Sequence, residues 1–421
     1  MIKHYFKQAL QALKENPLVN TISILGTALS IAMILVIVLV FQINNAGYAP
    51  ESNRSRMLYV SGTEAYCEAK TTRNRGAMSA EVVKECFYSL RTPEAVSAKT
   101  GEKRPVSLPD ERLFAEYDII YTDTGFWKIF DFRFVQGAPF TTADFNSGLP
   151  RAVISDETAR KLLGSADVIG KNIVFDYITY TICGVVKQVS TAAKQAYADI
   201  WAPYTSKAGY IERVSSYENM TGPFHIVLLA KNSADFDAIK SELKKQTEMY
   251  NTTKQDCKVS FMENPITHID IAIGSGGFRK VSLKDYLVNT GSILLFLLLI
   301  PAINLISVVL SSVKKRRGEI GLRKAFGATK KAIVRQILFE NMILTGIGAA
   351  IGFGLSFALL YLSRSFMLPE GVLLTADMLF KPELFIAILF FAFMLNILSA
   401  GIPAMNITRQ QIVEALNDTN K

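Results

Sequence analysis

The sequence predicts a membrane-embedded α-helical protein, four transmembrane helices carrying a large extracytoplasmic domain of α/β (α+β) type. Three observations lead there. Half of the 421 residues are hydrophobic, and they are clumped into long runs rather than spread at a regular period. The formal net charge of +9 is concentrated beside those runs. Between the first and second runs, residues 44–284 carry short β-rich stretches that alternate with helical patterns.

In residues 1–17, Tyr5, Phe6, Ala9, Leu10 and Leu13 recur at i, i+3/i+4, with Lys3, Lys7 and Lys14 elsewhere on the wheel. This predicts an amphipathic cytoplasmic helix lying in the inner-leaflet interface, in contact with membrane lipid. Pro17 then starts the first span, since its fixed φ and missing N–H suit a first helical position. A bilayer core about 30 Å thick needs roughly 20 apolar residues at about 1.5 Å each. Four windows meet that need: 18–43, 286–312, 338–362 and 384–403. With their flanks they give a first span at 18–43, a stalk and second span at 285–312, a third at 338–364 and a fourth at 384–405. The first run is longer than the roughly 7–15 apolar residues of a signal peptide, so an uncleaved anchor is expected.

Charge orients these spans. Residues 1–17 carry three lysines against Glu15, and residues 313–337 carry nine basic residues against Glu319, while the rest of the chain is near neutral. Basic flanks mark cytoplasmic loops. Both termini, including the tail 406–421, are therefore expected inside, with residues 44–284 and the loop 365–383 outside. Basicity confined to membrane flanks also argues against nucleic acid as a partner. The four cysteines, Cys67, Cys86, Cys183 and Cys257, all fall in the external part, where disulfides are permitted. Four cysteines allow three full pairings, and free buried thiols are the alternative. None forms CxxC, so no metal or redox site is expected.

The external region should place strands at MLYV, YDIIYT, RAVI, NIVFDYITYTICGVV, ADIWAPY and FHIVLLA, and helices at 80–90, 156–163 and 233–250, the last capped by Ser233. Residues 274–277, Gly-Ser-Gly-Gly, read as a flexible joint ahead of the second span. Trp127, Phe130, Phe132 and Phe134 read as core, with a hydrophobic ligand surface as the sharper alternative. The stretch GSADVIGKN resembles a phosphate loop but has one residue too many between its glycines and Asn172 in place of the Ser or Thr that would reach Mg²⁺. It reads as a turn before a hairpin. His4, His225 and His268 form no HExxH or zinc spacing, and no GxSxG occurs, so catalytic residues are not expected.

The densest charge, KKRRGEIGLRKAFGATKK, sits between two of the most apolar runs. Glu319 and Arg323 can pair at i,i+4. Glycines at 318 and 321 each cost a helix roughly 1 kcal/mol and make sense where the backbone bends or something approaches closely. Gly327 suits the left-handed position that ends a helix, and Thr329 can cap the next, which merges into the third span. A push on such a segment would pass to the spans on either side. In the third span, Gly348 and Gly352 form a GxxxG that allows close helix packing.

SSVKKRRGEIGLRKAFGATKKAIVRQILFENMILTGIGAAIGFGLS resembles the FtsX-like permease domain of ABC transporters, with its R-x-x-E-I-G element, its R-K/R-A-x-G-A element and its Gly-rich helix. These fall on Arg316, Glu319, Ile320, Gly321, Arg323, Lys324, Ala325, Gly327 and Ala328, with Arg317 beside the first. Pro403-Ala404 and IVEALND are similar to the family's closing pattern, except that Asn417 stands where Arg is usual. RAVISDETARKLLGSADVIGKNIVFDYITYTICGVVKQVS resembles the MacB-type periplasmic core domain. The resemblance implies a type VII ABC permease of a bacterial inner membrane, one that passes force to the periplasm. It implies a dimer, of identical chains or with a related permease, and allows a periplasmic adaptor and an outer-membrane channel. This sequence has no Walker A motif, so ATP and Mg²⁺ are expected on a separate cytoplasmic ATPase that grips Arg316–Ala328. Efflux of a peptide, drug or lipid-linked substrate is the expected role. An FtsX-type regulator of cell-wall hydrolases and an extracytoplasmic sensor are the alternatives.

Overall fold

The computed structural model describes residues 17–67, 72–110, 114–207, 209–210, 219–276, 278–279, 281–289, 291–292, 303, 322, 326–368 and 371–374, with isolated positions from 379 to 397. The expected amphipathic helix, most of the second and fourth spans and the tail lie outside the described residues. The chain divides into two compact units: Ile43–Asp285 with Pro369–Met378, and Met1–Gln42 with Tyr286–Leu368 and Leu379–Lys421. Among the described residues, four helices have eight or more residues: α1 (Pro17–Asn45), α2 (Asp156–Leu163), α3 (Phe236–Thr252) and α4 (Lys330–Met367).

In the helical unit, α1 buries Ala28, Ile31, Leu35 and Leu39 yet exposes Ile22, Leu25, Leu29 and Met33. A helix apolar on every side is stable in hydrocarbon rather than in water. Its counterpart α4 likewise exposes Ile351, Leu362 and Phe366. Two stretches among the described residues, Ile24–Asn45 and Lys331–Phe366, are long and apolar enough to cross a bilayer. Where α1 and α4 pack, a Cβ on Gly348 would lie 3.0 Å from Thr27 Cβ, and one on Gly352 would lie 2.6 Å from the carbonyl oxygen of Ala28. Only glycine lets the backbones come this close.

The external unit is built on fourteen described strands in two sheets. In chain order they are β1 (Met57–Val60), β2 (Thr63–Cys67), β3 (Thr72–Met78), β4 (Ala95–Ser107) and β5 (Phe114–Thr122). Next come β6 (Phe134–Gly137), β7 (Arg151–Ser155), β8 (Asn172–Phe175), β9 (Ile178–Val186) and β10 (Ile200–Pro203). The last are β11 (Thr221–Gly222), β12 (His225–Leu229), β13 (Cys257–Ser260) and β14 (Ile266–Thr267). The larger sheet runs β14-β1-β12-β4-β5-β10-β7-β9-β6, with β8 pairing β4 and β9; the smaller runs β11-β3-β2-β13. One core spans both, joining Leu58, Ile154 and Ile200 under the large sheet to Phe87, Leu243 and Val259 beside the small one.

Local signals explain several boundaries. Ser155 Oγ accepts the N–H of Thr158 at 3.1 Å to start α2, and Gly164 at φ +70° ends it, a backbone that glycine adopts freely. The phosphate-loop look-alike is the turn from α2 into β8, as the sequence suggested. The expected helix 80–90 differs: Ala80–Val82 is α-helical, but Val83–Phe87 is a π turn, closed by Tyr88 N–H to the Val83 carbonyl at 3.1 Å. The wider turn lets Val82, Val83, Cys86 and Phe87 all face the core. Ser233 is not the cap of the long helix. It opens a 3₁₀ turn capped by Asn232 and Asp235 in a reciprocal box, and α3 follows from Phe236. The 274–277 joint is hydrogen-bonded where described: Ser275 N–H donates to the Asp270 carbonyl and Ser275 Oγ accepts from Val281 N–H.

Cys67 and Cys257 face each other across β2 and β13 and form a disulfide. Their separation of 190 residues makes the cross-link worth about 5 kcal/mol in the chain-entropy account. Cys86 and Cys183 are free thiols. Of the aromatic run, Phe130 is core, at 1% exposure. Trp127, Phe132 and Phe134 are half-buried; Trp127 packs edge-on with Phe126, Phe132 and Phe140, Phe132 packs edge-on with Trp201, and Phe134 lies tilted against Trp127.

A candidate coupling junction at the end of the first helix

The last turn of α1 leaves carbonyls with no helical partner. Arg54, in the 3₁₀ turn Arg54–Arg56, answers two of the carbonyls at this end. Its Nη1 donates to the carbonyl oxygens of Asn44 at 3.2 Å and Ala46 at 2.7 Å. Its Nη2 donates to Tyr48 Oη at 3.2 Å and to the Ala192 carbonyl at 2.9 Å, and its Nε to Glu51 Oε2 at 2.7 Å. The guanidinium also lies 4.5 Å from the centre of the Tyr48 ring. A cation at a helix C-terminus further interacts favourably with the helix dipole.

Glu51 is fully buried, and its second oxygen accepts the N–H groups of Gln195 at 2.7 Å and Ala196 at 3.0 Å. Burial opposes the charge on Arg54, but Glu51 and Tyr48 outweigh it and hold the guanidinium above its ordinary pKa. From the other side of that loop, the Lys99 ammonium on β4 donates to the Gln195 carbonyl. Burial pushes Lys99 down to about 8, with Glu51 pulling the other way.

Two more segments meet here. His268 Nε2 lies 3.3 Å from the Asn44 carbonyl oxygen, so Nε2 carries the proton; burial, then Arg54, lowers its pKa. Ser190 Oγ accepts the N–H of Leu373 at 3.1 Å, and Gly371 comes so close that a Cβ would lie 2.8 Å from Thr191 Cγ2. Residues 190–196 therefore receive the end of α1 through Arg54 and Glu51, and the segment that follows α4 through Leu373.

Of the residues singled out by sequence, Arg316, Arg317, Glu319, Ile320, Gly321, Arg323 and Lys324 lie outside the described residues. Gly327 is at φ +89°, one residue after Phe326, whose N–H donates to the Leu322 carbonyl at 3.0 Å. Ala328 is half-buried, and Thr329 Oγ1 accepts the Ala332 N–H at 3.3 Å to open α4. Gly348 and Gly352 lie against α1 as described above. Sequence reasoning missed Arg54, Glu51, Lys99 and His268. The i,i+3 spacing of Glu51 and Arg54 just past an apolar run was the one available signal.

Comparison with known proteins agrees with this organisation. Residues 21–246 match the MacB-like periplasmic core domain, and residues 291–412 match the FtsX-like permease C-terminal family. The chain is 25% identical over 365 residues to the uncharacterized ABC transporter permease YknZ of Bacillus subtilis, covering 83% of this chain and 84% of that one. It is 22% identical to the macrolide export ATP-binding/permease protein MacB of Chromobacterium violaceum, over 98% of this chain and 60% of that protein. To the pyoverdine export ATP-binding/permease protein PvdT of Pseudomonas fluorescens it is 27% identical, over 56% of this chain and 34% of that protein. It thus spans less than two thirds of those two ATP-binding/permease relatives. The extracellular domain of the noncanonic ABC-type transporter YknZ from Gram-positive bacteria aligns at TM-score 0.32 and 14% identity, over 47% of this chain and 99% of that domain. The chain belongs to the MacB/FtsX-type ABC transporter permeases, membrane proteins that pair an FtsX-like permease region with a MacB-like periplasmic core domain.

Proposed function

We propose that this permease is driven by a separate cytoplasmic ABC ATPase and works for export. The ATPase binds ATP and Mg²⁺ and grips the segment from Arg316 to Ala328. Its closure shifts the spans, and the junction around Arg54 passes the shift to the external unit. In this reading the chain crosses the membrane four times with both termini cytoplasmic, and it acts as a dimer, of identical chains or with a related permease. Its cargo is a peptide, drug or lipid-linked molecule; the similarity to macrolide and pyoverdine export proteins supports that direction.

The observation that carries the reading is the buried Glu51–Arg54 pair tying the last turn of α1 to residues 192–196. Exposed ion pairs contribute little and hold nothing firmly, whereas a buried pair with every donor engaged resists deformation. The test is the permease co-purified and reconstituted with its cognate ABC ATPase. Glu319→Lys should leave the two proteins assembled or weakly associated but abolish stimulation of ATP hydrolysis by cargo. Wild-type stimulation in that variant would contradict the grip on this segment.

A further inference from the structure

Two segments of the external unit turn apolar side chains outward beside the ends of α1 and α4. The first is the short helix His268–Ala272. His268 Nε2, at the Asn44 carbonyl, holds this helix against the last turn of α1. Ile269 is nevertheless 65% exposed, and Ala272 is exposed as well. Positions i and i+3 share one side of a helix, so the two make one outward apolar face. The second is the segment that follows α4. Leu373 stays 36% exposed although its N–H is tied to Ser190 Oγ at 3.1 Å.

Scattered exposed aliphatics are ordinary on any protein surface. These are set apart by where they are held. Asn44 lies just past Gln42, where the helical unit ends, and Leu373 just past Leu368, where that unit is left a second time. Both departures follow helices long and apolar enough to cross a bilayer. A cation accompanies them. Lys194 is exposed and has no acceptor among the described residues. Of the influences that lower the His268 pKa, burial is the largest, Arg54 the next and Lys194 the smallest, so the Lys194 ammonium is within electrostatic reach of this helix. The carboxylates close by are engaged. Glu51 is buried against Arg54, and Asp270 turns back on Thr267 to cap its own helix. Aliphatic side chains beside a lysine suit the boundary between acyl chains and headgroups, where apolar burial favours the first and lipid phosphates the second.

We propose that Ile269, Ala272, Leu373 and Lys194 form a foot on the bilayer leaflet that faces the external unit. The aliphatic side chains enter the headgroup–acyl boundary, and the Lys194 ammonium meets the phosphate of an anionic phospholipid. Residues 190–196, which already receive Arg54 and Glu51, are then braced by lipid as well. The inference rests on the membrane setting of the family and not on export. It is measured without an ATPase, and its failure is distinct from a failure of coupling.

The probe is a bimane dye on Ala272→Cys in the full chain, in lipid nanodiscs; the native free thiols, Cys86 and Cys183, are buried and half-buried. Phosphatidylcholine carrying a nitroxide near the top of its acyl chain should quench the dye by about a half. Ile269→Asp, at an exposed position that leaves the fold intact, should remove most of that quenching. Phosphatidylglycerol with the same nitroxide should quench at about threefold lower mole fraction, and Lys194→Gln should abolish this preference. A dye that lipid nitroxides leave bright, whether open to aqueous iodide or shielded by a second copy of the chain, would overturn the proposal. So would quenching unchanged by Ile269→Asp, or a phosphatidylglycerol preference that is absent in the parent or survives Lys194→Gln.

Discussion

Arg54 engages each of its five N–H donors inside the protein, and four of the five acceptors are oxygens that no side-chain ion could replace: two carbonyls at the end of α1, the Ala192 carbonyl and a phenol. Lys99 holds the same loop from the opposite side and gives it a pH dependence. Its folded pKa of about 8 lies below the 10.5 of a free lysine. Below about pH 8 both folded and unfolded chains are protonated, and the full cost of burying the charge is present. Between the two values the unfolded chain keeps a proton that the folded chain has released, so stability rises with pH. The gain approaches roughly 3 kcal/mol at the top of that window. The unfolding midpoint of the full chain in detergent should therefore climb from about pH 8 to about pH 9.5, and Lys99→Met should remove the climb. Equal slopes in the two proteins would show that another group titrates.

At the scale of elements, the α1–α4 contact depends on two positions without side chains. Gly352→Leu would drive a Cβ into the Ala28 carbonyl, whereas at Gly354 nothing described lies within 4 Å. Gly352→Leu should cost about 1–3 kcal/mol of stability by overpacking, and Gly354→Leu much less. Thermal unfolding in detergent compares them, and equal losses would place the helix contact elsewhere. Elements were legible in the sequence where hydrophobic residues and caps agreed. The six β-rich runs are strands, and α2 has the bounds its Ser155 cap and Gly164 stop imply. The small sheet was not legible, because TEAYC and TRNRGAM show little apolar alternation and gain their order from the disulfide and from pairing across the chain. Nor was β4, where AVSAKTGEKRPVS mixes buried and charged positions and carries a proline. The junction was hidden for a related reason. Arg54 finds its partners in backbone carbonyls, one of them 138 residues away, and a carbonyl has no sequence signature.

For the whole molecule, the Cys67–Cys257 disulfide suits an oxidising compartment, in keeping with a MacB-like periplasmic core domain. The proposed function is mechanical: work done on the cytoplasmic side would reach the external unit through the Arg54 junction. Tyr177, fully exposed at the β8–β9 turn, is a place to watch it. Burial raises the free thiols of Cys86 and Cys183 to about 12 and about 11, so neither is a thiolate at neutral pH and a dye on Tyr177→Cys stays selective. Arg54→Ala strands the Glu51 charge, at a cost of about 3–5 kcal/mol, so the milder Ser190→Ala, which loses the Leu373 bond, accompanies it. In the complex with the ATPase, the dye should report a nucleotide-dependent change in the parent. Arg54→Ala should lose it and Ser190→Ala should diminish it, while both continue to hydrolyse ATP. A full nucleotide response at Tyr177→Cys in the Arg54→Ala background would contradict the account.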